Sequence, residues 1–438
     1  MPCIRNRISE VNTRTIAILV TVLTVSAIII MLGNDVRNRP CATAAHSEIE
    51  SPVASTSAYF AADYQSARHR FLSASELAGA RLEHIKHPVR GPHGKSLYTD
   101  VALVGNPQAE RFLVLISGTH GVEGFAGSAL QVGLLEEGIQ NQLPPETAVL
   151  MIHAINPYGM AYLRRFNEDN IDLNRNFRNH AEPPPDNPSY QELASAIAPE
   201  SISLGAELVS WARLLWFRII AGQAKAKAAI SGGQYTHPDG LFYGGKSETW
   251  SNKTLSRIVD RYLQDTKEVV AIDIHTALGR FGTAGLLPNV DQGKTEYHRA
   301  FAIWGPSLVI ETTQGEPANV HLQATVKRAM VRMLPETTVT AVTLEFGTFS
   351  SINVFRALRA ENWLYHHGNG VHHQAQEIKT CLLRTYSPES EKWRSSVWNN
   401  GRRIVARALS YLGNSATGLE RHTFNYGTSP EAHSQEGL

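Results

Sequence analysis

Phe112-Leu-Val-Leu-Ile-Ser117-Gly-Thr-His120-Gly-Val-Glu123-Gly124 joins a short apolar run to a turn dense in glycine. The run has the length and composition of a buried strand. Glycines at 118, 121 and 124 let the turn fold tightly, and a helical pattern, Gly127–Glu137, follows it. Strand, tight turn and helix are the repeating unit of an α/β sheet, in which ligands bind beyond the carboxyl ends of the strands. His120 and Glu123 sit in that turn and can aim an imidazole and a carboxylate at one point. The spacing alone is weak, because a chain with 18 His and 40 acidic residues produces it by chance. A helix cap beside a surface histidine explains it too.

The same pattern recurs along the chain. Apolar runs at Ala148–Ile155, Val269–Ile274, Ser307–Thr312 and Val339–Leu344 read as further buried strands. Leu204–Ala229 and Leu255–Asp265 read as helices, the first kept from being a membrane span by Arg213 and Arg218. Strands alternating with helices predict a single α/β domain with one mostly parallel, helix-flanked sheet. The second strand end of interest is Val269-Val-Ala-Ile-Asp273-Ile-His275-Thr. Asp273 and His275, two apart, share a face of a strand. Asp273 can therefore orient a ligating histidine from behind. The third is Thr343-Leu-Glu345-Phe-Gly, where an apolar strand delivers a carboxylate, a group rarely buried without a partner or a task.

Two histidines and one carboxylate are a zinc set that leaves a position open for water, and a separate Glu then serves as general base. His120, Glu123, His275 and Glu345 supply those parts. Between them lies Arg164-Arg165-Phe-Asn-Glu-Asp-Asn-Ile-Asp172-Leu-Asn174-Arg175-Asn-Phe177, dense in guanidinium and amide groups. An Arg fork matches a carboxylate in bidentate geometry, and a second Arg near a metal can stabilise an oxyanion. A polar surface turn is the plainer reading of that segment taken alone.

Composition bounds the alternatives. The chain has 438 residues, 42% of them hydrophobic and 18% charged, which is enough for a large core and excludes disorder or a coiled coil. The formal net charge of +1 provides no field for nucleic acid. Three cysteines, Cys3, Cys41 and Cys381, exclude a disulfide scaffold and a Cys-rich metal site. Cys41 and Cys381 can pair in an oxidising compartment. Thr15–Asn34 is uncharged, with Ile16–Leu32 almost wholly apolar, and is long enough to span about 30 Å as a helix. Arg5, Arg7 and Arg14 precede it, which predicts a cytoplasmic N-terminus. It reads as an uncleaved anchor, or as a signal peptide cut near Ala42-Thr43-Ala44. Both readings put the folded part outside the cytoplasm, as a periplasmic or extracellular domain held at the membrane, or secreted if the segment is cleaved. The organisation expected is 1–14 cytoplasmic, 15–34 anchor or signal, 35–57 linker, 58–413 catalytic domain and 414–438 frayed tail.

The order His-x-x-Glu, Asp-Leu-Asn-Arg-Asn-Phe, strand-terminal His-Thr and strand Glu resembles the zinc metallocarboxypeptidases of the carboxypeptidase A type. SGTHGVEGFAGS, HAINPYGMAYLRRFNEDNIDLNRNF, GQYTHPDGLFYGG and DIHTALG resemble more closely an uncharacterised, mainly bacterial branch of that superfamily, known as a domain of unknown function. The resemblance runs from about Ala58 to Arg403. It implies the carboxypeptidase-type sheet, one Zn2+ held by His120, Glu123 and His275, and Glu345 as general base. It implies Asn174 and Arg175 as the clamp for a substrate carboxylate, and Arg164 or Arg165 as the oxyanion group. The sequence departs from the pattern at Ala277, where Gly is expected after His-Thr, and it assigns no tyrosine to the capping of substrate. The implied activity is cleavage of an amide next to a carboxylate-bearing residue of a peptide. The alternative hydrolase is an N-acyl amino acid deacylase of the aspartoacylase-like type. The alternative outside catalysis is a membrane-anchored binding module.

Gly240-Leu-Phe-Tyr-Gly-Gly-Lys-Ser247 fits the P-loop pattern, but a polar loop and not a buried strand precedes it. The aromatic segment is expected to line the cleft instead, through Tyr235, His237 and Tyr243. His366-His367 and His372-His373 are adjacent pairs whose side chains diverge on a helix, so they are expected on a solvated face. No G-x-S-x-G serine elbow occurs.

Overall fold

The computed structural model describes residues 56–288, 294–309, 324–368 and 373–416. Among them, seven strands build one sheet: β1 (Arg81–Lys86), β2 (Tyr98–Val104), β3 (Arg111–Ser117), β4 (Thr147–His153), β5 (Glu268–Ala277), β6 (Ala284–Pro288) and β7 (Thr338–Gly347). Their spatial order is β1-β2-β4-β3-β5-β7-β6. The inner strands β4, β3, β5 and β7 are parallel. β1, β2 and β6 pair antiparallel at the two sides. The sheet is therefore mixed, with a parallel centre and antiparallel pairings at its two sides. Of the antiparallel neighbours, β1 runs directly into β2 through residues 87–97, whereas the chain between β6 and β7 carries two helices among the described residues.

The inner strands carry continuous apolar runs because both faces are covered. On one face Leu113, Leu115, Val270, Ile272, Val342 and Leu344 pack against α1 (Tyr64–Leu77), α2 (Gly124–Glu136), α7 (Thr295–Trp304) and α11 (Glu391–Ala416). On the other, Phe112, Val114, Val269, Ala271, Val339 and Ala341 pack against α6 (Trp250–Tyr262) and α8 (Val326–Met333). Each Val, Leu, Ile or Phe among them contributes roughly 1.5–3 kcal/mol on burial. α2 is buried on almost every side, which is why its sequence is apolar all round and not striped.

A third apolar cluster lies beyond the carboxyl ends of the parallel strands. It joins α4 (Pro188–Ile197), α5 (Leu204–Ser231), α9 (Ser351–His367) and α10 (Ala375–Tyr386) to Phe166, Leu241 and Phe242. The short α3 (Pro157–Ala161) follows β4 and is capped by the Asn156 side chain. This cluster walls the space into which β3, β5 and β7 point.

The run Ser307–Thr312 does not form the strand expected of it. Ser307 and Leu308 form a turn after Gly305-Pro306, and Val309 makes a single bridge to Leu286. Residues 310–312 lie outside the described residues, as do Cys3, Cys41, His372 and the apolar segment 15–34. No helix among the described residues is long and apolar enough to cross a membrane. Helix α11 runs on to Ala416, past the expected start of the tail. Cys381 on α10 is disulfide-bonded.

Candidate functional site

β3 ends at Ser117, and the turn after it places His120 at the head of the one-turn helix Gly121–Glu123. Gly121 is required there. A Cβ on it would stand 2.0 Å from the carbonyl carbon of Gly159. The turn is held from the far side, where Gly121 N donates to Arg165 O (3.1 Å) and Val122 N to Arg164 O (2.8 Å). β5 and β7 are in register so that His275 lies opposite Glu345. The sheet thus carries a histidine and a carboxylate side by side to the face where His120 and Glu123 wait.

His120, Glu123 and His275 meet. The Nδ1 atoms of the two histidines are 3.0 Å apart, His120 Nδ1 is 3.0 Å from Glu123 Oε1, and His275 Nδ1 is 3.0 Å from Glu123 Oε2. All three residues are at most 4% exposed. Tetrahedral bonds of about 2.0–2.1 Å would set ligand atoms roughly 3.3 Å apart. The donor set therefore fits a single zinc-sized ion with little adjustment. The far ring nitrogens are held by carboxylates: His120 Nε2 lies 3.0 Å from Asp172 Oδ1 and His275 Nε2 lies 2.6 Å from Asp273 Oδ2. Protonating each Nε2 toward its carboxylate leaves the Nδ1 lone pair facing the centre. Asp273 is itself fixed by Thr119 Oγ1 at 2.6 Å. Among the described residues this is the one group of metal-donor side chains that gathers in this way. His366 and His367 close α9 with rings 6.4 Å apart and gather no such set.

Glu345 is 7% exposed and its Oε2 faces Leu278 N at 3.5 Å. Burial pushes its carboxyl up to about 8; the His275 charge opposes this and the Glu123 charge adds to it. Glu123 goes the other way. Burial alone would raise it, but His120 and Arg165 hold it well below the carboxylate range. Two carboxyl groups in one site thus have opposite tendencies, the arrangement that separates a ligand from a proton carrier.

The two arginines separate as well. Arg165 reaches the cluster: Nη1 donates to Glu123 Oε1 (2.6 Å) and Nε to Asp172 Oδ2 (3.1 Å), while Nη2 lies 2.8 Å from His120 Nε2. Arg164 turns away. It donates to Glu361 Oε1 (2.8 Å) and Asn170 Oδ1 (2.7 Å) and lies over the Tyr365 ring. Arg164 ties α9 to the loop after α3.

Asn174 and Arg175 follow Asp172 on a short turn that Asp172 caps, its Oδ1 accepting from Asn174 N at 3.0 Å. Asn174 Oδ1 accepts from Val326 N (2.9 Å), and its Nδ2 lies 3.4 Å from His275 Nε2. Arg175 donates to Asn174 O and Ser231 O, and its Nε is buried without a partner. Both Arg165 and Arg175 lie beside the Phe242 ring, at 5.6 and 5.7 Å from its centre.

The segment expected to line the cleft buttresses it instead. The Tyr235 hydroxyl donates to Arg175 O (2.7 Å), and Tyr243 contributes its backbone oxygen to Asp172 N (2.8 Å). His237 bonds Thr236 and Gln234 and packs on Tyr190, away from the three donors. Asn176 grips the P-loop lookalike at Gly244 O and Ser247 O. Its Phe242 has φ +56°, and no strand precedes it. It is a brace for the Asp172–Asn176 turn.

Tyr386 also belongs to the site. It ends α10, and its hydroxyl is buried beside Arg165. No sequence spacing links it to the other motifs. Ala277, the departure noted above, has φ +117°, a conformation that glycine adopts freely.

The sequence matches the model of a family described as protein of unknown function (DUF2817) over residues 60–400. No curated protein matches it. Among solved structures, bovine thrombin-activatable fibrinolysis inhibitor bound to a tick carboxypeptidase inhibitor is similar at 11% identity and TM-score 0.47, over 82% of this chain and 99% of that one. A metallo-carboxypeptidase from Burkholderia cenocepacia is similar at 12% identity and TM-score 0.40, over 82% and 71%. The succinylglutamate desuccinylase of Chromobacterium violaceum is similar at 15% identity and TM-score 0.31, over 73% and 74%.

Proposed function

The chain belongs to the family described as protein of unknown function (DUF2817), and from its site we propose that it is a zinc-dependent hydrolase cleaving an amide next to a carboxylate-bearing residue. One observation carries the reading: two Nδ1 atoms and a carboxylate converge at 3.0 Å, each histidine backed by an aspartate. His120, Glu123 and His275 hold the ion. Zinc in such a site polarises a carbonyl and acidifies water.

The chain's own residues do the rest. Glu345 takes a proton from the attacking water at its carboxylate and passes it to the departing amine nitrogen. Arg165 donates to the carbonyl oxygen as negative charge gathers there. Arg175 and the amide group of Asn174 position the substrate carboxylate. Arg164, bound to Glu361, keeps the loop in place and touches no substrate.

The apolar segment 15–34 supports placing the domain outside the cytoplasm, and the Cys381 disulfide suits an oxidising compartment. Incubation of the full chain with peptides and N-acyl amino acids, with and without chelator, tests the activity. We expect hydrolysis that chelation abolishes and that Glu345→Gln lowers by at least about 100-fold. Free C-terminal amino acids mark a carboxypeptidase, and a small released acid marks a deacylase. Full activity in Glu345→Gln would overturn the mechanism. Substrate binding indifferent to metal, with no turnover, would indicate a binding module.

A further inference from the structure

Side chains alternate along a strand, so Asp273 and His275 on β5 and Thr343 and Glu345 on β7 face the same side of the sheet. Register pairs Asp273 with Thr343 and His275 with Glu345. On the outer side, β6 continues these rows with Leu287 opposite Thr343 and Gly285 opposite Glu345. Rows two residues apart are separated by about 7 Å along a strand. The reactive row is therefore His275–Glu345, and the row behind it is Asp273–Thr343–Leu287.

Helix α8 packs on that face, with Val326, Ala329 and Met330 against Val269, Ala271, Val339 and Ala341. Its first amide, Val326 N, is held by Asn174 Oδ1 at 2.9 Å, and the same carboxamide reaches toward His275. The start of α8 is thus tied to the candidate site by one side chain. The next residue is Lys327. Its Nζ donates to Leu287 O (3.1 Å) and Pro288 O (2.9 Å). These carbonyls place the ammonium at the second row. An ammonium has three N–H groups. Two are used, and among the described residues the third has no acceptor. No carboxylate among them forms an ion pair with Lys327, whereas Lys267 and Lys379 have Glu110 and Glu361. The charges that act on it are Arg328, which disfavours its proton, and Asp273 and Glu345, which favour it. Burial pushes Lys327 down to about 8, so it remains mostly cationic at neutral pH.

We propose that Lys327 is the specificity-determining residue and that the substrate is an amide of an acidic amino acid, whose side-chain carboxylate is taken by the Lys327 ammonium. This rests on the hydrolase reading above. Asn174 links the two ends of the argument. It contributes to the clamp for the substrate's α-carboxylate and, through Val326, sets the position of Lys327. A substrate residue held by Asn174 and Arg175 therefore extends its side chain over the second row, toward an ammonium that has no carboxylate partner among the described residues.

The experiment compares amides of glutamate, glutamine, leucine and lysine, both peptidyl and N-acetylated, on the zinc-loaded full chain. Wild type should favour glutamate over glutamine in kcat/KM by at least about tenfold, the worth of one charge-assisted hydrogen bond. Lys327→Met should bring that ratio to about one. Lys327→Arg should keep the preference, and Lys327→Glu should invert it toward the lysine substrate. A purely structural role for Lys327 would lower all four substrates together and leave the ratio unmoved, which would overturn the proposal. Equal cleavage of glutamate and leucine amides by wild type would overturn it too. Calorimetric binding of N-acetylglutamate and N-acetylglutamine reads the same selectivity without turnover. If no amide is cleaved, the hydrolase reading fails. Equal binding of the two ligands, or a preference that survives in Lys327→Met, removes the selectivity proposal separately.

Discussion

Glu345 and Ala277 are residues whose local environment works against stability. Burial, opposed by His275 and aided by the Glu123 charge, pushes Glu345 up to about 8 from an ordinary 4.5. Between those values the folded, metal-free chain keeps a proton that the unfolded chain releases. The contribution is therefore fully present below about 4.5 and lost as pH rises through 8. Chelated Glu345→Gln should lack this slope and exceed chelated wild type in stability at pH 8 by at least about 1 kcal/mol, as read by urea unfolding. Parallel stability–pH curves would contradict it. Ala277 has φ +117° at the end of β5. Such backbone costs roughly 1–3 kcal/mol for a side-chain-bearing residue. Ala277→Gly should raise stability by about 1 kcal/mol, and a lower midpoint in the same assay would show the turn to be unstrained. The departure from the resembling family at this position was legible in the sequence. Its backbone consequence was not, because φ is set by the fold.

At the scale of elements, the site is a meeting of strand ends braced by a loop. The strands that deliver His120, His275 and Glu345 were legible because their apolar runs are long and buried on both faces. β1, β2 and β6 were not. β1 is Arg-Leu-Glu-His-Ile-Lys with an exposed face, β2 interrupts its apolar run with the buried Asp100, and β6 is five residues holding Gly and Pro. Short or polar outer strands lack the pattern on which such a reading depends. The residue types of the aromatic segment 235–243 suit a cleft lining, yet the Tyr235 hydroxyl and the Tyr243 carbonyl support the Asp172 turn. Residue type cannot tell a lining from a brace. Asp172 stands at the centre of that brace, bonding both His120 and Arg165. Asp172→Asn should weaken zinc binding about 10- to 100-fold in chelator competition, the usual consequence of removing a carboxylate behind a ligating histidine. Unchanged affinity would show that Asp172 serves Arg165 alone.

Over the whole molecule, residues separated by more than 200 positions collect at one end of one sheet. The parallel inner strands deliver them and the α4–α5–α9–α10 cluster walls them in. Sequence order was sufficient to foresee His120, Glu123, His275 and Glu345 together, since each lies at a strand end. It could not choose between Arg164 and Arg165, which are neighbours on a loop, nor reveal Tyr386 or Lys327, which arrive on helices from elsewhere in the chain. The most direct measurement is zinc stoichiometry by elemental analysis of the full chain, with His275→Ala and Glu345→Gln alongside. Wild type and Glu345→Gln should each carry about one ion per chain after dialysis, and His275→Ala should carry almost none. A metal-free wild type after zinc loading, or an undiminished His275→Ala, would contradict the convergence of these side chains on a shared ion.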